Sequence, residues 1–260
     1  MKRQLLLLFV AYHPSSAEVV KLLHCLSNMP SKLGYAVVVN DYQPGEAVDQ
    51  LREGADHFLT NSDNPGYGRA VNRLVGQIGD IPPYLGVLNT DLAWTSGTFE
   101  TMLSWLQLHP DVCLAAPQIL DQDRIPQKLC KQHPTLLGLL SRRFLLDRFK
   151  PAFLKRYDRW YVMSDRNYKD VFEVPYLSGC CMLMRSDVFI SVGGFDERFF
   201  LYLEDADLTR SMAQCGQCVH LPVASVIHNW GRGNYQSLFL MFVNIASAWH
   251  YFRKWGLSLW

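Results

Sequence analysis

The chain lacks several things that would each mark a class of protein. It has no acidic residue after Asp207, no internal repeat, no low-complexity linker and no apolar run of bilayer length. A membrane-crossing helix needs about 20 consecutive apolar residues, so none is expected. A surplus of either charge is missing too: 25 Lys and Arg face 24 Asp and Glu, for a net charge of +1. Nucleic-acid binders gain affinity by neutralising phosphates with a basic excess, which sets that class aside. The seven cysteines are odd in number and scattered, which suits a reducing compartment better than a disulfide scaffold. Cys215-Gly216-Gln217-Cys218 has CxxC spacing, but no second pair or nearby His pair completes a zinc site, and Cys180-Cys181 read as small core residues. Met1-Lys2-Arg3 before Leu5–Val10 only faintly imitates a signal peptide, because Tyr12-His13-Pro14 follows instead of small residues.

With 260 residues, 49% of them hydrophobic, the chain can bury a full core. Apolar runs at Leu5–Ala11, Tyr35–Asn40, Asp56–Thr60, Tyr84–Asn89, Val112–Pro117 and Val219–Ile227 read as strands. Between the early ones lie helix patterns at Ala17–Asn28, Glu46–Gly54, Gly68–Gly79 and Thr98–Leu108. Continuous Val/Leu strands separated by helices predict an α/β fold with a mostly parallel sheet covered on both faces. Ligands of such sheets bind beyond the carboxyl ends of the strands, where Tyr12, Asp41 and Asn89-Thr90-Asp91 fall.

Charge is unevenly spread. Arg142, Arg143, Arg148, Lys150, Lys155, Arg156 and Arg159 face only Asp147 and Asp158. From Ser237 to about Gly256 a helix pattern carries Phe239, Phe242, Trp249, Tyr251, Phe252 and Trp255 with Arg253 and Lys254. Aromatic and basic residues together suit a membrane interface; packing on the domain or a homodimer contact fits the pattern equally.

The chemistry concentrates in Phe199-Phe200-Leu201-Tyr202-Leu203-Glu204-Asp205-Ala206-Asp207. Three carboxylates against so apolar a run imply pairing, metal binding or catalysis, and neighbouring carboxylates shift one another's proton affinity. Asp91 after an apolar strand can hold a divalent cation against a diphosphate, and alone it equally reads as a turn or cap residue. His228, ending another apolar run, can complete that shell. Asn64-Pro65-Gly66-Tyr67-Gly68-Arg69-Ala70-Val71-Asn72 is a glycine turn opening a helix, whose N-terminus favours anions; Arg69 could reach a phosphate and Asn72 a sugar hydroxyl. Ser178-Gly179 precedes a short strand, and Asp196 and Glu197 read as loop formers.

Taken in order, Ser178-Gly179, Arg185, Gly193-Gly194-Phe195-Asp196-Glu197, Phe199-Phe200, Tyr202, Glu204-Asp205, Asp207-Leu208, Arg210, Gly216 and His228 resemble the family 2 inverting glycosyltransferases of the GT-A fold. The likeness is to the bacterial rhamnosyltransferase branch that builds O-antigen and related surface polysaccharides. Asn64 to Gly68 with Asn72 resembles that branch's Asn-x-Gly-Phe-Gly…Asn signature, and Asn89-Thr90-Asp91 stands where its Asn-Pro-Asp form of DxD does. Two departures are visible: Asp41-Tyr42-Gln43-Pro44 replaces the usual Asp-Asn-x-Ser, and Thr90 replaces proline.

The resemblance implies a GT-A domain over 1–234, with a nucleotide-sugar half to about 120 and an acceptor half beyond, and a C-terminal helix over 235–260. It implies Asp205 as the base, Glu204 orienting acceptor or base, and Asp91 with His228 on Mg²⁺ or Mn²⁺. Tyr12, Asp41, Asn64, Gly66, Gly68, Arg69, Asn72, Asn89, Thr90, Ser178 and Gly179 would line the donor. The expected donor is dTDP-rhamnose and the acceptor a polyprenyl-diphosphate-linked or oligosaccharide glycan, handled at the cytoplasmic membrane face. A UDP-hexose or galactofuranose transferase of the same fold, or a non-catalytic nucleotide-sugar-binding scaffold subunit, are the alternatives; a nucleotidyltransferase would need a glycine-rich basic loop after the first strand, which Tyr12-His13-Pro14-Ser15 is not.

Overall fold

A computed structural model describes residues 2–144, 147–228 and 238–260. Leu145 and the stretch from Asn229 through Trp230, Gly231 and Asn234 to Ser237, including the boundary at 234, lie outside the described residues. The strand β1 (Leu5–Ala11) is apolar throughout and lies parallel between β2 (Leu33–Val39) and β4 (Tyr84–Asn89). Beyond β2 lies β3 (His57–Thr60), also parallel. Strands without alternation need cover on both faces. One face is covered by α1 (Ser16–Leu26) and α3 (Thr98–Leu108), the other by α2 (Tyr67–Val75). The N-terminus of α1 is capped by Ser15, whose hydroxyl accepts from the Glu18 N–H at 3.2 Å.

The second half of the sheet is mixed. The strand β8 (Cys181–Arg185) inserts antiparallel between β4 and β6 (Val112–Leu120), and β9 (Gln217–His228) runs parallel to β6. Short β5 (Leu92–Trp94) and β7 (Phe172–Glu173) both pair antiparallel with β9. Among the described residues nine strands form one sheet, ordered β3-β2-β1-β4-β8-β6-β9-β5 with β7 beside β9. Apolar content marks β8 as buried but carries no information about its direction.

The second half of the chain adds α4 (Leu136–Phe144), α5 (Ala152–Tyr161), the short α6 (Ser186–Ser191), α7 (Glu204–Met212) and α8 (Leu238–Trp255). The helix α8 packs on α7 around Tyr176, Phe199, Leu203, Ala206 and Tyr251. The segment after α8 returns to α4, where the Leu136 and Leu137 N–H groups donate to the Ser258 and Leu259 carbonyls at 2.9 and 3.0 Å. The helices α4, α5 and α8 thus form one layer. Its outer side exposes Leu140, Phe153, Trp160, Phe239, Phe242 and Trp249. No helix among the described residues is long and apolar enough to cross a membrane.

Candidate active site

The carboxyl ends of β1, β2 and β4 gather the residues expected around a nucleotide. Tyr12 is exposed, with its ring 4.5 Å from that of His13. The His13 imidazole bridges two carboxylates, Nδ1 to Glu46 Oε1 at 2.6 Å and Nε2 to Asp41 Oδ2 at 3.2 Å. The bond to Glu46, and then that to Asp41, raises the His13 pKa. Both His13 and Asp41 have left-handed backbones, at φ 46° and 52°. Asp41 is therefore held by the side chain after Tyr12, which the sequence reading did not anticipate.

After β4, Asn89 Oδ1 lies 3.3 Å from the Tyr67 hydroxyl, and Thr90 bonds Glu18. The register of β5 on β9 sets Leu92 opposite His228 and brings Asp91 Oδ2 to 3.3 Å from His228 Nε2. Asp91 Oδ1 and both His228 ring nitrogens are buried without a hydrogen bond among the described residues. Buried polar atoms left over in this way ask for a ligand. An open cleft of about 500 Å³ beside them is lined by Ser15, Glu18, Lys21, Thr90, Asp91 and Gln122. Among the described residues no third His, Cys, Asp or Glu joins Asp91 and His228.

The glycine turn is used differently from the expectation. Gly66 has φ 94°, and a Cβ there would lie 2.3 Å from the Phe200 carbonyl oxygen. That oxygen accepts from the Tyr67 N–H at 3.0 Å, so part of the α2 N-terminus is taken by the chain itself. A Cβ on Gly68 would meet Phe195 at 2.7 Å. Asn64 accepts from the Gly66 N–H at 3.1 Å. Arg69 pairs with Glu197 at 3.1 Å, and Asn72 donates to the Phe195 carbonyl at 2.8 Å and accepts from the Phe195 N–H at 3.0 Å. Arg69 and Asn72, expected at a phosphate and a sugar hydroxyl, instead clasp α2 to the loop that leads into α7. The reason is that Gly193–Glu197 folds directly over the helix, a long-range contact that local sequence does not encode.

At the head of α7, Tyr202 and Leu203 have consecutive left-handed backbones, φ 69° and 63°. Each costs about 1–3 kcal/mol and persists only where surroundings impose it. Here Ser247 of α8 donates to the Leu201 carbonyl at 2.8 Å, and the Tyr67 N–H holds Phe200. The turn delivers Glu204 and Asp205. Asp205 Oδ2 accepts from the Gly179 N–H at 2.9 Å, and Tyr176 hydrogen-bonds the same carboxylate. A Cβ on Gly179 would lie 3.1 Å from Asp205 Cβ, which accounts for glycine beside Ser178. Glu204 is 7% exposed and its Oε2 has no partner among the described residues. Burial, reinforced by Asp205, pushes its pKa up to about 8. The two carboxyls thus differ in surroundings, Glu204 buried without a partner on Oε2 and Asp205 held by a backbone N–H. The third, Asp207, is 2% exposed and accepts from Lys254 Nζ at 2.8 Å and Trp255 Nε1 at 2.7 Å.

Several residues of this site carry no motif. Lys131 forms a two-way backbone bridge with Tyr176, and its ammonium lies 4.2 Å from the Tyr176 ring centroid. Tyr67 lies 3.2 Å from the Gly179 carbonyl, and burial raises its hydroxyl pKa, as it does that of Tyr176. Only chain-length separation hides these residues, since each acts across the sheet rather than within a local pattern.

No family model matches the chain. Among curated proteins it is 32% identical over 186 residues to the N-acetylglucosaminyl-diphospho-decaprenol L-rhamnosyltransferase of Mycobacterium tuberculosis, covering 66% of this chain and 58% of that protein. It is 30% identical over 107 residues to rhamnosyltransferase WbbL of Escherichia coli, covering 41% of this chain and 38% of that one. The chain thus spans less than two thirds of the length of the relatives it matches. Among solved structures, GalNAc-T7 with UDP, GalNAc and Mn²⁺ superposes with a TM-score of 0.68 at 14% identity, over 98% of this chain and 48% of that one. The mannosyltransferase PcManGT of Pyrobaculum calidifontis with GDP-Man and Mn²⁺ gives 0.62 at 14% identity, over 90% and 59%. The chain has the GT-A glycosyltransferase fold, and its sequence resembles the rhamnosyltransferase-like branch of the family 2 enzymes.

Proposed function

We propose that the chain is an inverting glycosyltransferase that moves L-rhamnose from dTDP-rhamnose to a lipid-linked acceptor of a surface polysaccharide such as O-antigen. The observation that carries this reading is Asp205, held by the Gly179 N–H beside a Glu204 kept neutral by burial. Asp205 takes the proton of an acceptor hydroxyl as that oxygen bonds to the anomeric carbon. The bond from that carbon to the β-phosphate oxygen breaks, and its electron pair leaves with the nucleoside diphosphate. Attack opposite the leaving group inverts the centre. Glu204, its pKa raised by burial, can donate a hydrogen bond to the acceptor.

Asp91 and His228 fit a divalent cation, because His228 Nε2 lies 3.3 Å from Asp91 Oδ2 and Asp91 Oδ1 is buried without a hydrogen bond among the described residues. Mg²⁺ or Mn²⁺ bound there would offset the charge of the departing diphosphate, whose oxygens would supply remaining ligands. Tyr12 and Asp41 lie where a nucleoside would sit. The exposed Leu140 of α4 and the exposed aromatics of α5 and α8, interspersed with Arg142, Arg156, Arg159 and Arg253, support peripheral contact with an anionic membrane surface. Both relatives are rhamnosyltransferases, which favours this donor over a UDP-hexose.

The test is turnover of dTDP-rhamnose, UDP-glucose and UDP-galactofuranose with a short-chain polyprenyl-diphospho-GlcNAc, with added Mg²⁺ or Mn²⁺ and with chelator. Metal-dependent transfer from dTDP-rhamnose alone is expected. Transfer from a UDP-sugar would replace the donor, and equal rates in chelator would remove the cation from the reading.

A further inference from the structure

The ammonium of Lys131 has no hydrogen bond or ion pair among the described residues, only the face of the Tyr176 ring at 4.2 Å. An ammonium carries three donors, and taking it out of water is unfavourable unless they are used. A cation over an aromatic face recovers only part of that cost. Through space it faces the Asp205 carboxylate, which supports its charge without bonding it. From Arg124 to Leu146 the chain has no acidic residue, while Arg124, Lys128, Arg142 and Arg143 accompany Lys131. Two residues on, His133 has a buried Nδ1 that also lacks a partner among the described residues.

The position of this cation is specific. Lys131 is bridged to Tyr176 by backbone bonds of 3.0 and 3.1 Å in both directions, and Tyr176 bonds the Asp205 carboxylate. One tyrosine therefore separates the unused ammonium from the proposed base. The chain then runs from Lys131 into α4, part of the layer with exposed Leu140, Phe153 and Trp160. A cation at this place stands between the hydroxyl-activating group and the aromatic, basic surface.

We propose that Lys131 is the phosphate-binding residue of the acceptor site, taking the anionic oxygens of the diphosphate that links the acceptor sugar to its lipid. This rests on the transferase reading above. In a sugar-1-diphosphate the phosphate lies across one pyranose ring from the ring hydroxyl to be glycosylated, so base and ammonium grip opposite sides of a single sugar. The lipid beyond the phosphate then leaves along α4 and α5. Lys131 thereby selects a phosphate-linked acceptor over a neutral glycan.

The experiment compares wild type, Lys131→Met and Lys131→Arg with two acceptors, a short-chain polyprenyl-diphospho-GlcNAc and an alkyl GlcNAc glycoside without phosphate. Charge-assisted bonds of this kind correspond to about a ten- to hundredfold effect. Lys131→Met should raise KM for the diphosphate acceptor by that factor and leave KM for the alkyl glycoside unchanged. Lys131→Arg should recover part of the loss. Equal loss with both acceptors overturns the proposal, because tuning of Asp205 or a folding defect would act on both. Weakened dTDP binding in Lys131→Met also overturns it, since the phosphate held would then be the donor's. Calorimetric binding of the two acceptors without donor reads the same difference independently of turnover. Binding that discriminates through Lys131, with no transfer from any donor, supports the proposal and removes only the transfer reading; no discrimination in binding overturns the proposal.

Discussion

Glutamine at position 204 gives a direct measure of how the fold treats its two adjacent carboxyls. Glu204 keeps its proton up to about pH 8 in the folded protein, against an ordinary value of 4.5. Between those values the unfolded chain binds fewer protons at this site than the folded one, so stability must fall as pH rises from about 4.5 to 8. At about 1.4 kcal/mol per pH unit, the fall amounts to at most about 5 kcal/mol from this residue. Glu204→Gln removes the titrating group, and its amide in the same unpartnered place costs about 1–3 kcal/mol at every pH. Urea midpoints at pH 5, 7 and 9 should therefore show the variant equal to or slightly weaker than wild type at pH 5 and stronger at pH 9. In an Asp205→Asn background the crossover should shrink, because the neighbouring charge that reinforces burial is gone. A difference between wild type and Glu204→Gln that stays constant from pH 5 to 9 would refute the assignment of a Glu204 that holds its proton through neutral pH.

Three further outcomes follow from the same geometry. Asp205→Asn should lower turnover about 10²–10⁴-fold with dTDP affinity unchanged, measured by steady-state kinetics beside calorimetry. Asp207→Ala removes the 2.7 Å partner of Trp255 and leaves Lys254 with only Asp196 at 3.3 Å, and should cost about 1–3 kcal/mol in chemical denaturation, with enhanced proteolysis of α8. Gly66→Ala combines φ 94° with a Cβ 2.3 Å from the Phe200 oxygen and should cost more than about 1 kcal/mol and displace the turn before Glu204, lowering thermal midpoint and turnover together.

What sequence made legible was local. Tyr84–Asn89 and Thr98–Leu108 emerge with the expected bounds, because each is an uninterrupted apolar run or a 3.6-residue pattern closed by turn residues. The strand ending at Pro117 in the reading continues to Leu120, since pairing with β9 carries it past the proline across a register shift. The helix α6 at Ser186–Ser191 has no counterpart among the expected elements, because six residues are too short for a periodic signal. The carboxylate cluster was visible because charge against aromatics is conspicuous. Its division of labour was not, since Asp207 finds its partners in Lys254 and Trp255 and Glu204 is set apart by burial alone. Likewise Arg69 and Asn72 looked free for a ligand in sequence, whereas their partners Glu197 and Phe195 lie more than a hundred residues away.

The bond from Lys254 to Asp207 spans 47 residues, and it has a consequence for how the chain is made. A ribosome adding about 5–20 residues per second presents Asp207 several seconds before Lys254 and Trp255 exist. During that interval the carboxylate-bearing helix has its nucleotide-side framework but not the helix that buttresses its strained entry. A nascent or prematurely terminated product would hold the parallel strands β1 to β4 without a fixed α7 entry turn. Synthesis itself therefore orders the two helices, and α8, made after α7, is the one that fixes the turn before Glu204.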